Sequence, residues 1–145
     1  MRTTAIILAL APAVWAASMA GVRAQAPKTV WLGAFSNAQA DRGGAVYSKE
    51  CTTCHSDNFR GKVDGGPPLV GKDFEMRWAD RSLLDIVTQV SELMPADEPA
   101  TLTRKDWVEL FAFLFRANGA TMAAADLPLD EESLAAVMGT NKPRP

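Results

Sequence analysis

The two cysteines and the single histidine of this chain lie within five positions, in the stretch "ECTTCHSD" that contains Cys51, Cys54 and His55. Thiols and imidazoles act as nucleophiles, redox groups and metal ligands, so this clustering indicates a chemical site. Three kinds of site use a similar arrangement: a thioredoxin-like dithiol, a zinc centre and a covalently attached haem, for which C-x-x-C-H is the signature.

The rest of the sequence favours the third interpretation. A thioredoxin-like site needs a strand, a loop and a helix in a parallel sheet, and no strands are recognisable here. A structural zinc site uses four nitrogen or sulfur ligands, and the chain has no Cys or His beyond these three. Haem attachment needs only the residues present, because two thiols add across the vinyl groups and the adjacent imidazole ligates the iron.

The elements that must position this motif are helices joined by irregular segments. Helical periodicity and capping signals support them, with Ser36 as one N-cap and Ser82 and Thr103 opening two capping boxes. The Gly- and Pro-rich residues 56–72 predict an irregular loop. The predicted helical segments are about 37–49, 73–79, 82–93, 103–119 and a last turn at 133–138.

Four motifs in this order resemble those of class I c-type cytochromes, over about residues 37–120: "GGAVY", "CTTCH", "GPPLVG" and "ELMPADEP". This family consists of small helical electron carriers of the bacterial periplasm and of mitochondria. The resemblance implies an all-α, cytochrome c-like fold, with three to five helices packed around one covalently bound haem c.

The resemblance also implies roles for residues on the histidine side of the haem. Cys51 and Cys54 would form the thioether bonds, and His55 Nε2 would be the proximal iron ligand. The backbone carbonyl of Pro67 would accept a hydrogen bond from His55 Nδ1–H, which orients the ring and strengthens it as a donor. Leu69 would pack against the haem edge.

On the opposite side, the family pattern implies Met94 as the distal ligand, because its Met-Pro pair follows a helix. The competing sulfur atoms belong to Met76, Met122 and Met138. The resemblance also gives Trp78 a place at the haem, where its indole N–H would donate to a propionate, although the sequence favours packing in the core.

The N-terminal helix carries the family's glycine and aromatic positions, Gly43 and Tyr47. Gly43 would let the C-terminal helix cross at close range, which would compensate for a helix penalty of about 1 kcal/mol. Leu110 or Phe111 is expected to contact this helix near Tyr47.

The first 24 residues predict a secretory signal peptide, since Arg2 precedes an apolar run and Ala24 offers a cleavage position. An uncleaved membrane anchor is the alternative. Residues 25–36 are expected to form an extended arm, and residues 37–145 a cytochrome domain with a C-terminal tail from about residue 120.

The function expected from these features is one-electron transfer in a periplasmic respiratory chain, with no enzymatic activity. A periplasmic dehydrogenase, such as a quinoprotein, would be the donor, and an oxidase or another cytochrome the acceptor. A haem enzyme or ligand sensor with an open distal site is the alternative. The chain's net charge of −2 becomes −4 when the signal peptide removes Arg2 and Arg23, which disfavours nucleic-acid binding. Once the signal is cleaved, no stable membrane insertion is expected.

Overall fold

The structure is a computed structural model that describes residues 28–140 and Lys142. The signal peptide expected at residues 1–24 and the start of the arm lie outside the described residues. The described part contains six helices and four short strands. The helices are α1 Asn37–Glu50, α2 Thr52–His55, α3 Lys72–Arg77, α4 Leu83–Ser91, α5 Arg104–Ala117 and α6 Glu131–Ala135; the strands are β1 Lys28–Thr29, β2 Leu32–Ser36, β3 Thr121–Ala123 and β4 Val137–Met138.

The fold is helix-rich, as predicted, but it is not all-α. Strand β1 pairs with β4 and β2 pairs with β3, and both pairs are parallel. The described part also has six helices where three to five were expected, because the turn around the CxxCH motif and a turn in the tail are both helical. Strands of two to five residues are too short to show an alternating pattern, so no local signal predicts them.

Helices α1 and α5 cross at Gly43, and this contact confirms the prediction made for that glycine. A Cβ atom at Gly43 would lie 1.8 Å from the carbonyl oxygen of Glu109, so only glycine permits the observed approach. The crossing fixes the end of α1, and the chain passes from there directly into the CxxCH motif.

Leu110 lies against α1 as expected, because its backbone nitrogen would be 2.9 Å from a Cβ at Gly43, one turn before Tyr47. The aromatic residue of α5 that contacts Tyr47 is not Phe111, however. The ring centroid of Phe113 lies 5.6 Å from that of Tyr47, and Phe59 completes the cluster at 4.9 Å from Tyr47. Phe111 instead contacts the rings of Trp78, Trp107 and Phe115. Helical spacing placed Phe111 correctly inside, but it could not say which aromatic residue meets α1.

The arm and the tail form a clasp, defined as residues 28–36 together with residues 120–140. The arm is extended, and Val30, Trp31 and Phe35 within it are buried. In the tail, the expected last helical turn lies earlier than predicted, because Asp130 caps α6 and Val137–Met138 form β4. The clasp thereby adds apolar side chains to the same hydrophobic core as the helices.

The expected helix starts are confirmed by their caps. Ser36 and Ser82 accept hydrogen bonds from backbone amides in the first turns of α1 and α4, and Thr103 forms a complete capping box with Asp106. No helix in the described part of the chain is long and apolar enough to cross a membrane.

Candidate functional site

Helix α2 places both cysteines and the histidine on one turn. The amide of Cys51 donates to the carbonyl of Tyr47 at the end of α1 (3.0 Å), and the amide of His55 donates to the carbonyl of Cys51 (2.9 Å). Both thiols are free, and Cys54 is exposed whereas Cys51 is half-buried. Burial raises the pKa of the Cys51 thiol to about 11. The motif therefore presents two unpaired thiols and one imidazole from a single local turn.

The imidazole of His55 is oriented by one backbone carbonyl. His55 Nδ1 lies 2.8 Å from the carbonyl oxygen of Pro67, which is the contact implied by the resemblance. A carbonyl can only accept, so Nδ1 carries the proton and donates it. The neutral ring then holds its lone pair on Nε2, the atom that can ligate a metal.

A glycine that sequence analysis did not identify makes room for this ring. A Cβ atom on Gly66 would lie 2.3 Å from His55 Cε1, so a side chain there would displace the imidazole. The Gly66 amide also donates to the carbonyl of Cys54 (3.0 Å), which ties the loop to α2. The "GGPP" sequence signalled a turn, but the path of the backbone past the histidine is a tertiary property.

Tyr47 is hydrogen-bonded to the residue that follows His55. Its hydroxyl donates to the carbonyl of Ser56 (2.7 Å), where the chain leaves α2 with a positive φ of 64°. Burial raises the pKa of Tyr47 to about 12, so the hydroxyl remains a donor at neutral pH. This contact fixes the residue that follows the histidine.

The other residues expected on the haem surface lie in or against the core. Leu69 is half-buried and packs against the hydrophobic cluster. Trp78 is 8% exposed and makes an edge contact with Phe111, at 5.8 Å between centroids. The Nε1 atoms of Trp78 and Trp107 are buried and have no hydrogen-bond partner among the described residues. A buried N–H normally has a hydrogen-bond acceptor, and a bound group would be able to supply the acceptor that these two indoles lack.

Met94 lies just after α4, and its amide donates to the carbonyl of Val90 (3.0 Å). Its side chain is half-buried and packs against the core. Among the competing sulfur atoms, Met76 is 53% exposed on α3, and those of Met122 and Met138 are carried by strands of the clasp. The placement of Met94 opposite His55 stays a prediction.

These residues fit a covalently bound haem better than a bare metal ion. No group of three or more His, Cys, Asp or Glu side chains within residues 28–140 is arranged to hold a metal ion. Cys51, Cys54 and His55 therefore do not converge on one point, as zinc would require. A haem would instead use the groups that are present: two free thiols for attachment, an available imidazole Nε2 as a ligand of the iron and an unpartnered indole N–H as a hydrogen-bond donor.

Residues 38–114, more than half of the chain, match the family model described as cytochrome c oxidase, cbb3-type, subunit III. The chain belongs to this family of c-type cytochromes. No curated protein and no solved structure matches the sequence. The match extends from α1 into α5 and so includes the CxxCH motif, the loop that contacts His55 and Met94. The cytochrome domain implies haem c as the cofactor, a role in electron transfer and redox partners.

Proposed function

We propose that this cytochrome is a one-electron carrier that holds a single haem c between His55 and Met94 and acts in the periplasm after export by residues 1–24. The observation that supports it best is the state of His55. Its Nδ1 is engaged by the carbonyl of Pro67, while its Nε2 remains available on the same turn as two free thiols.

In this proposal each residue of the site has a separate role in holding the haem. Bound haem supplies an iron that cycles between the ferric and ferrous states. Cys51 and Cys54 would attach the group to α2, and His55 Nε2 would ligate its iron. The Pro67 carbonyl keeps the imidazole from rotating and increases its donor strength. The soft thioether of Met94 would stabilise the ferrous state and leave no open coordination position.

The packing favours electron transfer over substrate chemistry. The ring cluster of Tyr47, Phe59 and Phe113 supports the turn that bears the ligand and limits its movement. A fixed ligand set needs little rearrangement when an electron arrives. Cys54 is exposed, so the group attached to it would come close to the surface, where a partner can exchange electrons.

We propose a periplasmic dehydrogenase, such as a quinoprotein, as the electron donor, and an oxidase or another cytochrome as the acceptor. The family's description names an oxidase subunit, which supports an acceptor of that kind. The net charge of −4 expected after export also favours partners that present basic residues near their redox centre.

The test uses the exported holoprotein. Potentiometric titration followed optically should show one reversible one-electron transition, and carbon monoxide should not bind to the reduced protein. A weak ferric band near the red edge of the visible spectrum would report sulfur ligation of the iron. Rapid carbon monoxide binding to the reduced wild-type protein would instead indicate an open distal site, as in a haem enzyme or sensor, and would overturn the proposal.

A further inference from the structure

One buried carboxamide connects the end of α5 to the loop that contacts the histidine. Asn118 is 8% exposed and follows α5 directly. Its Nδ2 donates to the carbonyls of Leu69 (2.9 Å) and Leu114 (2.8 Å), and its Oδ1 accepts from the amide of Gly71 (2.9 Å). Both Nδ2 protons of Asn118 are therefore hydrogen-bonded, and the loop is held through the backbone of Leu69 and Gly71.

The loop needs such a clamp because of its two prolines. Pro67 and Pro68 have no amide N–H, so the segment whose carbonyl faces the histidine cannot anchor itself by donating hydrogen bonds. The nearest anchor before it is the amide of Gly66, bound to the turn that holds the cysteines. The anchors after it are at Leu69, whose amide donates to the carbonyl of Phe59 (2.8 Å), and the clamp by Asn118.

We propose that Asn118 is a positioning residue for the proximal ligand. By holding the carbonyl of Leu69 and the amide of Gly71 against the end of α5, it keeps the carbonyl of Pro67 in hydrogen-bonding reach of His55 Nδ1. This inference depends on the proposed function, since it treats His55 as the iron ligand.

The proposal has a measurable electronic consequence. A firm hydrogen bond from Nδ1–H makes the imidazole a stronger electron donor to the iron, which stabilises the ferric state. Release of the loop weakens that bond, so the reduction potential should rise. The same release exposes Nδ1–H to water, so its exchange with solvent should become faster.

The chain offers a matched control for this clamp. Gln39 is 2% exposed, and its carboxamide likewise binds a backbone segment, donating to the carbonyl of Leu127 and accepting from its amide, both at 2.9 Å. Gln39 lies in the first turn of α1, about 16 Å along the helix axis from the end that leads to Cys51. Loss of either carboxamide removes buried hydrogen bonds, but only Asn118 is connected to the loop of Pro67.

The experiment compares the holoproteins of Asn118→Leu and Gln39→Met, both uncharged and close to the original shape. The chain contains one histidine, so a ¹⁵N-labelled imidazole gives an unambiguous Nδ1–H signal. We expect Asn118→Leu to accelerate exchange of this proton at least tenfold and to raise the reduction potential. Gln39→Met should lower the thermal midpoint by a similar amount and change neither property.

An unchanged exchange rate in Asn118→Leu, or equal acceleration in both variants, would overturn the proposal. If Asn118→Leu does not fold, Asn118→Asp serves in its place, because it keeps the acceptor for Gly71 and loses the donor to Leu69. Its Nδ1–H exchange should still accelerate, and an unchanged rate would again contradict the proposal. Failure of the proposed function is distinguishable, since wild-type protein would then lack haem or a His55 signal typical of an iron ligand.

Discussion

The direction of one imidazole proton determines what His55 can do. Because Nδ1 donates to the carbonyl of Pro67, Nε2 is the nitrogen left for the proposed ligation of iron, and Gly66 leaves the ring enough space to remain there. The hydroxyl of Tyr47 restrains the same turn by donating to the carbonyl of Ser56. The proposed ligand is thus held by backbone carbonyls, the Tyr47 hydroxyl and packing.

The distal assignment is testable by one substitution. Met94→Ala should remove the weak ferric band near the red edge of the visible spectrum and allow the reduced protein to bind carbon monoxide, because alanine offers no sulfur to the iron. Met76→Ala is the matched control: it also removes a thioether, but its side chain is 53% exposed, and the spectrum should not change. Loss of the band in Met76→Ala with its retention in Met94→Ala would reverse the assignment.

The residues of the CxxCH motif could be predicted from the sequence because their types and spacing are local. The motif spans only five residues, so its spacing was sufficient to place Cys51, Cys54 and His55 on one turn. The family pattern predicted the contact with Pro67. The supporting residues could not be found in this way. Asn118 is 47 positions from Gly71, so only the packed chain brings the two together.

At the scale of the elements, the crossing of α1 and α5 is the contact that positions the motif. Gly43→Ala should lower the free energy of unfolding of the holoprotein by about 1–3 kcal/mol, because the new Cβ overlaps the carbonyl of Glu109 and the helices must separate. Its effect should exceed the small gain in helix propensity of alanine over glycine. Urea denaturation followed by circular dichroism measures the difference.

The neighbouring glycine provides the control for this prediction. A Cβ on Gly44 would lie 3.2 Å from the ring of Phe113, which can shift, and not against backbone. Gly44→Ala should therefore remain within about 1 kcal/mol of the wild-type free energy of unfolding. If both substitutions have the same effect, the close approach at Gly43 is not what limits the helix crossing.

The start of α5 predicts a dependence of stability on pH. The hydroxyl of Thr103 donates to the Asp106 carboxylate and lowers its pKa below the ordinary 3.8. Since the folded pKa is lower than the unfolded one, the charged group stabilises the fold above about pH 4 and loses this contribution as the pH falls through the lowered value. Asp106→Ala removes one half of this capping box and should lower the free energy of unfolding at pH 7 by about 0.3–1 kcal/mol, a small value because solvent screens a largely exposed carboxylate.

The difference between wild type and Asp106→Ala should shrink when urea denaturation is repeated at progressively lower pH below 3.8. Asp106→Asn is the matched variant, because it keeps an acceptor oxygen but cannot ionise. It should retain part of the stability and lose the pH-dependent part. A constant difference between wild type and Asp106→Ala at all pH values would contradict the assignment.

The helices were more predictable than the strands for a physical reason. A cap and the apolar face behind it are local, so Ser36, Ser82 and Thr103 placed three helix starts correctly. Strands β1 and β4 are short and pair over more than 100 positions, from Lys28 to Val137. Their pairing depends on where the helices bring the two ends of the chain, which no local pattern records.

At the scale of the whole molecule, the clasp extends the core beyond the residues that match the family. Trp31 Nε1 donates to the carbonyl of Thr140 (2.7 Å), and the Trp31 and Phe115 rings meet edge to face at 5.0 Å. In the tail, Leu134 and Val137 are fully buried. We therefore expect the clasp and the helices to unfold together.

This expectation is tested by truncating one buried side chain of the tail. Leu134→Ala should lower the free energy of unfolding by about 2–5 kcal/mol and keep a single transition, because the cavity forms inside the shared core. Leu32→Ala is the control, since that side chain is 54% exposed. A separate transition of the tail at lower temperature in thermal unfolding would show that the clasp unfolds independently of the helices.

The central claim is that one haem is bound covalently through Cys51 and Cys54, and the most direct test is intact mass combined with a pyridine haemochrome spectrum. The protein should be exported from a host that attaches haem c. We expect a mass equal to the chain from Gln25 onward plus one haem, and a haemochrome typical of two thioether bonds; Cys51→Ala with Cys54→Ala should abolish both. Colourless wild-type protein with the mass of the bare processed chain would contradict the account.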